Sequence, residues 1–435
     1  MAREMKDSGI PWIGEIPADW ELKNIKALFS FGKGLPITKD NLCDSGVPVI
    51  SYGQIHSKRN SGTHIVKDLI RYVSEEYINS NPDSFAHQGD FIFADTSEDL
   101  DGCGNCAYVD VDIPIFAGYH TIILRAKVQK SNQYFAYLFK SDMWRRQIRE
   151  RVIGVKLFSI SQKVLKKTSL IIPPQEIQCR IADYLNCKCA EIDAVLEKTR
   201  TSIEEYKKLR RAIITQAVTK GIRGDRPMKE SGVIWLDTVP AEWTISKIKY
   251  TIFPKEKPVL PMDEVITCFR DGTVTLRRNR REEGFTISFT ENGYQGVDVG
   301  DLVIHGMDTF AGAIGCSDSR GKTSPVVHVC STVGNNRYFM YFLRYMAYSG
   351  VLMDFSNGVR IRSSDFRNFK KLAVFEMLVP PLREQNKIVD YLDSTLAKID
   401  QVIKQKEILI SELEACKKSA IYEYVTGKRE VPNAY

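Results

Sequence analysis

The segment MKDSGIPWIGEIPADWELKNIK at residues 5–26 is written again, with changes, as MKESGVIWLDTVPAEWTISKIK at residues 228–249. Both copies keep Met, Lys, Ser, Gly, Pro, Ala and a closing Ile-Lys in register. Trp12 and Trp20 in the first copy match Trp235 and Trp243 in the second, in a chain with only five tryptophans. An internal repeat constrains the fold more than any other feature, because whatever the first half builds the second half builds again. A second pair of segments extends the repeat. IIPPQEIQCRIADYLNCKCAEIDAVL at 171–196 matches LVPPLREQNKIVDYLDSTLAKIDQVI at 378–403, with Pro173 on Pro380, Asp183-Tyr184-Leu185 on Asp390-Tyr391-Leu392, and Ile192-Asp193 on Ile399-Asp400. The match runs on to Val218-Thr219 and Val425-Thr426. The order is lead-in, variable region, conserved block, and then the same again.

The conserved blocks read as long helices. Apolar residues fall at Ile177, Ile181, Leu185, Ile192, Val195, Leu196, Ile203, Tyr206, Leu209, Ile213 and Ala217 in the first. In the second they fall at Ile388, Leu392, Leu396, Ile399, Ile403, Ile410, Leu413, Ile421 and Tyr424. Steps of three, four and seven fit one helix face and, sustained this long, a coiled coil. Pro174 and Pro381 suit the first turn, Glu176 and Glu384 oppose the dipole behind them, and Gly221 and Gly427 stand just past the ends. Two such helices bury their stripes most cheaply against each other, in antiparallel sense.

The variable regions, 27–170 and 250–377, hold short aliphatic runs broken by Gly, Asn and Asp: GVPVIS, GDFIFAD, HTIILRA, GVDVGDLVIHG and SPVVHVC. These predict strands. NQYFAYLFKSDMWRRQI and NRYFMYFLRYMAYSGVL predict one helix near the end of each region. Gly89-Asp90 corresponds to Gly300-Asp301, and Gly154-Val155-Lys156 to Gly358-Val359-Arg360. The expected fold is α/β (α+β): two globular domains separated by two long antiparallel helices with a pseudo-twofold repeat. The boundaries are 1–170, 171–221, 222–377 and 378–435.

A chain of 435 residues exceeds one ordinary core. Its 43% hydrophobic and 26% charged composition predicts a soluble globular class, with no run of apolar residues near membrane-spanning length. The polar start, MAREMKDSG, lacks a secretory pattern, so a cytoplasmic setting with ten free thiols is expected. Cys103 and Cys106 form a lone C-x-x-C pair, weak as a metal site, and no metal is expected. A net charge of +7 is compatible with nucleic acid.

The doubled SG-x-x-W…P-x-x-W lead-in, the PP-x-x-x-Q-x-x-I-x-DYL helix start and the helix end at Val218-Thr219 and Val425-Thr426 resemble the specificity subunit of type I restriction-modification systems. The resemblance covers nearly the whole chain. It implies that each variable region is a target recognition domain reading one half of a split, asymmetric DNA site, with the helices setting the unread spacer and docking partners. Those partners are two modification (adenine methyltransferase) subunits and two restriction (ATP-dependent translocase) subunits. S-adenosylmethionine, ATP and Mg are expected on them and no cofactor on this chain, which is expected to be non-catalytic. In keeping with that, the Pro-Pro pairs lack the flanks of an amino-methyltransferase loop, and no G-x-x-x-x-G-K-[ST] run exists. A protein-interaction scaffold with a coiled-coil spacer is the alternative from another class. A solo methyltransferase stands behind both.

Phosphates call for Lys and Arg, and base edges for Arg, Lys, Asn or Gln on loops. The candidates are YGQIHSKRN (Gln54, Lys58, Arg59, Asn60), FRDGTVTLRRNRR (Arg270, Arg277, Arg278, Arg280, Arg281), and Lys156 with Arg360 and Arg362 in the glycine-led loops. Both longer clusters follow a short strand, which makes equivalent positions the expectation; a merely solvated surface is the competing reading. The run WRRQIRER can equally pair with acidic side chains. Trp12, Trp20, Trp235 and Trp243 are either core of the lead-in or a dock for the modification subunits.

Overall fold

The computed structural model, which describes residues 3–127, 132–280, 291–354 and 366–432, turns both conserved blocks into single helices. Among the described residues, five helices have eight residues or more: α1 (Gln133–Lys140), α2 (Asp142–Arg149), α3 (Gln175–Thr219), α4 (Asn336–Tyr348) and α5 (Leu382–Val425). The two long ones start alike. Gln178 Nε2 donates to the Pro173 carbonyl and Gln385 Nε2 to the Pro380 carbonyl, both at 2.8 Å. Pro174 and Pro381 stand just ahead of the first helical residue, where a missing N–H leaves nothing unsatisfied. Beyond each helix, Gly221 and Gly427 adopt φ of +79° and +71°, a left-handed turn that ends the helix.

The chain forms two compact units, Met1–Lys198 with Ile408–Tyr435, and Thr199–Glu407. Each contains part of both long helices, and in each they run antiparallel. In unit one, Lys417 Nζ donates to both carboxylate oxygens of Asp193 at 2.6 Å, and Tyr184 lies 4.6 Å from Tyr424, ring to ring. In unit two, Arg210 meets Asp400 at 3.2 Å, and Lys406 lies over the Tyr206 ring. Asp193 and Asp400 occupy the same place in the repeat, as do Lys417 and Arg210, so one ion pair is written twice. The buried seam contains Ile181, Leu185, Ile192 and Leu196 in α3 and Ile388, Leu392, Leu396 and Ile399 in α5. Val195 and Leu209, expected on the stripe, are exposed. Val195 lies about 100° round the helix from buried Leu196, and at Leu209 the seam position belongs to Arg210, which reaches Asp400.

Within unit one, an antiparallel sheet runs in the order Cys106–Tyr108, Phe91–Ala94, Thr121–Ala126, Phe29–Lys33. A second sheet holds Arg71–Val73, Val47–Ile50, Ile115–Ala117 and Phe85–Ala86, with one parallel pair, Ile115–Ala117 on Val47–Ile50. Unit two repeats the first sheet as Ile314–Cys316, Leu302–His305, Val327–Thr332 and Ile252–Pro254. In place of the second it has a hairpin, Ile266–Cys268 on Val274–Leu276, and the pair Gln295–Val297 with Gly321–Thr323. The helix expected as one piece in NQYFAYLFKSDMWRRQI is two. Ser141 turns extended between α1 and α2, and its hydroxyl caps the second by accepting from Trp144 N.

Equivalent helices fasten each domain in the same way. The Tyr134 hydroxyl lies 3.1 Å from the Ile171 carbonyl and 3.0 Å from that of Val425. Tyr338 in α4 lies 3.2 Å from the Leu378 carbonyl and 3.5 Å from that of Val218. One turn on, Tyr137 donates to Asn186 and Tyr341 to Asp393.

Candidate nucleic-acid interface

In unit one, the YGQIHSKRN cluster follows the strand Val47–Ile50 as a helical turn, Tyr52–Ile55. Gln54 accepts from Ser51 N at 3.0 Å and so closes the start of that turn. Asn60 gives both amide hydrogens to backbone carbonyls, of Ile55 at 2.8 Å and Cys106 at 2.9 Å, and accepts from Gly62 N. These two side chains shape the loop. Lys58 is exposed, and Arg59, also exposed, pairs with Asp68 at 2.5 Å. Beside the turn lies a cavity of about 860 Å³ whose lining includes Tyr52, His56, Lys58, Asn105, Leu157 and Lys418. His56 is fixed at both ring nitrogens: Nε2 lies 2.7 Å from the Thr96 carbonyl and Nδ1 3.1 Å from the Asn105 amide.

Two cations hold this face from beneath, and nothing in the sequence marks them. Lys140 Nζ donates to the Ser61 carbonyl at 2.7 Å, and Arg145 reaches the Cys103 and Gly102 carbonyls and the Asn105 side chain. Burial pushes the Lys140 ammonium down to about 8, helped by the charges of Lys417 and Arg145. Two other arginines of WRRQIRER do pair with acids, Arg146 with Glu150 at 3.2 Å and Arg149 with Asp142 at 3.1 Å, while Arg151 donates to the Gln147 carbonyl at 2.6 Å. Cys103 and Cys106 are buried here, and burial pushes the Cys106 thiol up to about 12, away from the thiolate a metal takes.

In unit two, the FRDGTVTLRRNRR cluster occupies the hairpin and the helical turn Arg277–Asn279 after it. The two clusters therefore differ in local structure, contrary to the equivalence expected from their sequence depth. Arg270, Arg278 and Arg280 are exposed, and each meets a carboxylate: Asp308 at 2.9 Å, Glu264 at 2.8 Å and Asp271 at 2.6 Å. Arg280 also lies over the Phe269 ring. Arg277 turns inward, its Nε 3.4 Å from Thr267. Arg344 supports the hairpin by donating to the Asp271 carbonyl at 2.5 Å. Exposed ion pairs of this kind are worth about 0–1 kcal/mol, so a phosphate can replace each carboxylate at little cost. Lys156 is exposed in unit one. Arg281, Arg360 and Arg362 lie outside the described residues.

The four repeated tryptophans divide. Trp20 and Trp243 are 1% and 0% exposed. An indole with no accessible surface offers nothing to another chain, so the docking expectation fails for both. Each packs on the glycine after a long helix: a Cβ at Gly427 would lie 2.9 Å from Trp20, and one at Gly221 3.3 Å from Trp243. Trp243 Nε1 donates to Glu384 at 2.9 Å, and Arg226 bridges the same carboxylate at 2.5 Å. Burial works to raise the Glu384 carboxyl, but the bonds from Arg226 and Trp243 outweigh it and hold the group below the usual range. In unit one Ile177 stands where Glu384 stands in unit two, and no described residue accepts from Trp20 Nε1. Trp12 and Trp235 are part-exposed on the lead-in hairpins, Trp12 beneath Arg146 and Trp235 beside fully exposed Ile234.

Residues 17–205 match the type I restriction modification DNA specificity domain. Beyond that domain, the chain is similar to type I restriction enzyme specificity subunits. The MjaVIII specificity subunit of Methanocaldococcus jannaschii is 24% identical over 215 residues, 48% of each chain, so the match spans about half the length of that relative. The putative MjaX specificity subunit of the same organism is 23% identical across 96% of both. A solved chain of a type I restriction-modification system, from work on complex assembly and conformational transition, superposes with a TM-score of 0.64 at 14% identity. It covers 95% of this chain and 99% of that one, and so shares the fold. Against that background, the chain carries two units of one plan with dissimilar basic faces.

Proposed function

We propose that this specificity subunit is the non-catalytic DNA reader of a type I complex, each unit reading one half of a bipartite asymmetric site. The observation that carries this is the repeat itself: one scaffold twice, each copy with its own basic loops. Lys58, Arg59 and Lys156 serve unit one, and Arg270, Arg278 and Arg280 serve unit two. Gln54, Asn60 and Arg277 shape the loops that present them. The paired helices set the unread spacer. They also dock two modification subunits, with Trp12 and Trp235 on the lead-in hairpins as contact points, and two restriction subunits complete the cleaving assembly. S-adenosylmethionine, ATP and Mg belong to those partners, and the complex works in the cytoplasm. The test is to map methylated adenines in the host genome with and without this gene. One split motif that vanishes on deletion supports the reading, and an unchanged methylome refutes it. In vitro, binding through phosphates should weaken linearly in log–log terms as salt rises, whereas a protein scaffold would show no such dependence on DNA.

A further inference from the structure

The chain between α2 and the strand Phe158–Ser159 ends in a tip that the basic clusters do not account for. Ile153 is 90% and Val155 95% exposed, the most exposed aliphatic pair among the described residues of unit one. Between them, a Cβ at Gly154 would fall 2.2 Å from the Leu157 carbonyl oxygen, so the turn closes on itself and only glycine fits. Both sides of the tip are anchored. Val152 N donates to the Ile148 carbonyl at 3.1 Å, Phe158–Ser159 pairs with Thr96–Ser97, and Ile160 N donates to the Asp95 carbonyl at 2.7 Å. Two β-branched side chains, stiff at χ1, are thus held in solvent on a shaped turn.

We propose that Ile153 and Val155 read thymine methyl groups in the major groove of double-stranded DNA. This rests on the DNA-reading assignment above. Exposed Lys156 follows Val155 directly, and Leu157 continues the tip into the cavity that Lys58 and Lys418 also line. The charge of Lys156, next to Val155 in the chain, favours approach of the tip to a polyanion. Aliphatic side chains have nothing to offer a phosphate, and the apolar feature of a base edge in the major groove is the thymine C5-methyl. Two side chains set among lysines are also far smaller than the roughly 800 Å² per partner of a stable protein interface. The cavity mixes Lys58 with Glu98 and Asp101, a lining suited to the donors and acceptors of base edges and not to the backbone.

The experiment uses the chain assembled with its modification subunits and a duplex carrying the site found by methylome mapping. Each thymine in the half-site of unit one is replaced by uracil, which removes only the methyl. Loss of one buried methyl should weaken binding about fourfold at one or two positions. The double variant Ile153→Ser with Val155→Ser should bind thymine DNA as weakly as the natural chain binds the uracil duplex, and should ignore the replacement. Its salt slope should be unchanged, while Lys156→Ala should lower that slope. A flat uracil series overturns the proposal, as does a double variant that still senses the methyl. So does a double variant that keeps its DNA preference but no longer joins the modification subunits. A natural complex with no sequence preference on DNA would overturn the DNA-reading assignment itself, and this inference with it.

Discussion

Trp20 and Trp243 fill matching places but differ in one bond, and that difference is measurable. Trp243→Phe loses the Nε1 bond to Glu384 and leaves a buried carboxylate with one partner fewer; Trp20→Phe loses no bond to a described residue. Unfolding in urea should show Trp243→Phe as the costlier change by about 1.5–3 kcal/mol. Because the Glu384 carboxyl sits below its unfolded value of about 4.3, its contribution is complete above that pH. It fades as pH falls through the folded value, and the gap between the two variants should narrow there. Lys140 has the opposite sign. Its ammonium is depressed to about 8, so the cost of burying the charge is felt in full below pH 8. Stability of unit one rises as pH climbs from there toward the unfolded value near 10.4. Lys140→Met should therefore stabilise at pH 7 by roughly 2–3 kcal/mol, less about 1 kcal/mol for the Ser61 bond. Thermal melts should show the gain disappearing above pH 10. Neither half-buried cation was legible beforehand as a support for this face: Lys140 ends an aromatic helix and reads as its solvated tip. Only the packing of the Ser61 loop over it reverses that.

The two long helices could be foreseen at element scale, because a period of three and four survives over 45 and 44 residues. The strands GVPVIS, GDFIFAD, HTIILRA and SPVVHVC stood out on a different ground, as short aliphatic and aromatic runs between turn formers. The break at Ser141 was missed although SDMW is a helix-start pattern; the aromatic periodicity on both sides masked it. The dissimilar settings of the two basic clusters were also hidden, since the charges are alike and only strand pairing tells a helical turn from a hairpin. The twice-written ion pair sets helix register more than it adds stability. Asp193→Lys or Lys417→Asp alone should destabilise unit one by about 1 kcal/mol through like charges in contact. The combined exchange should recover most of that in a double-mutant cycle, while Asp400 and Arg210 stay unaffected.

For the molecule as a whole, the proposed spacing of two DNA half-sites is the property most open to test. Removing facing heptads from both helices shortens them by about 10 Å, or about three base pairs at 3.4 Å each. Methylome mapping should then return the same two half-sites with a shorter gap, and an unchanged gap would disprove that the helices set the spacer. The repeat made this architecture readable from the start, whereas the reading surfaces depend on loops that no periodicity describes. Tyr134 and Tyr338 make the design modular. Each inserts one hydroxyl between two main-chain carbonyls, one of them at the end of a long helix. Peptide oxygens look the same whatever side chain they carry, so the clasp is blind to the identity of what it grips. A foreign recognition module could be spliced onto this handle and seat itself with a single tyrosine, leaving evolution free to trade addresses without recutting the joint.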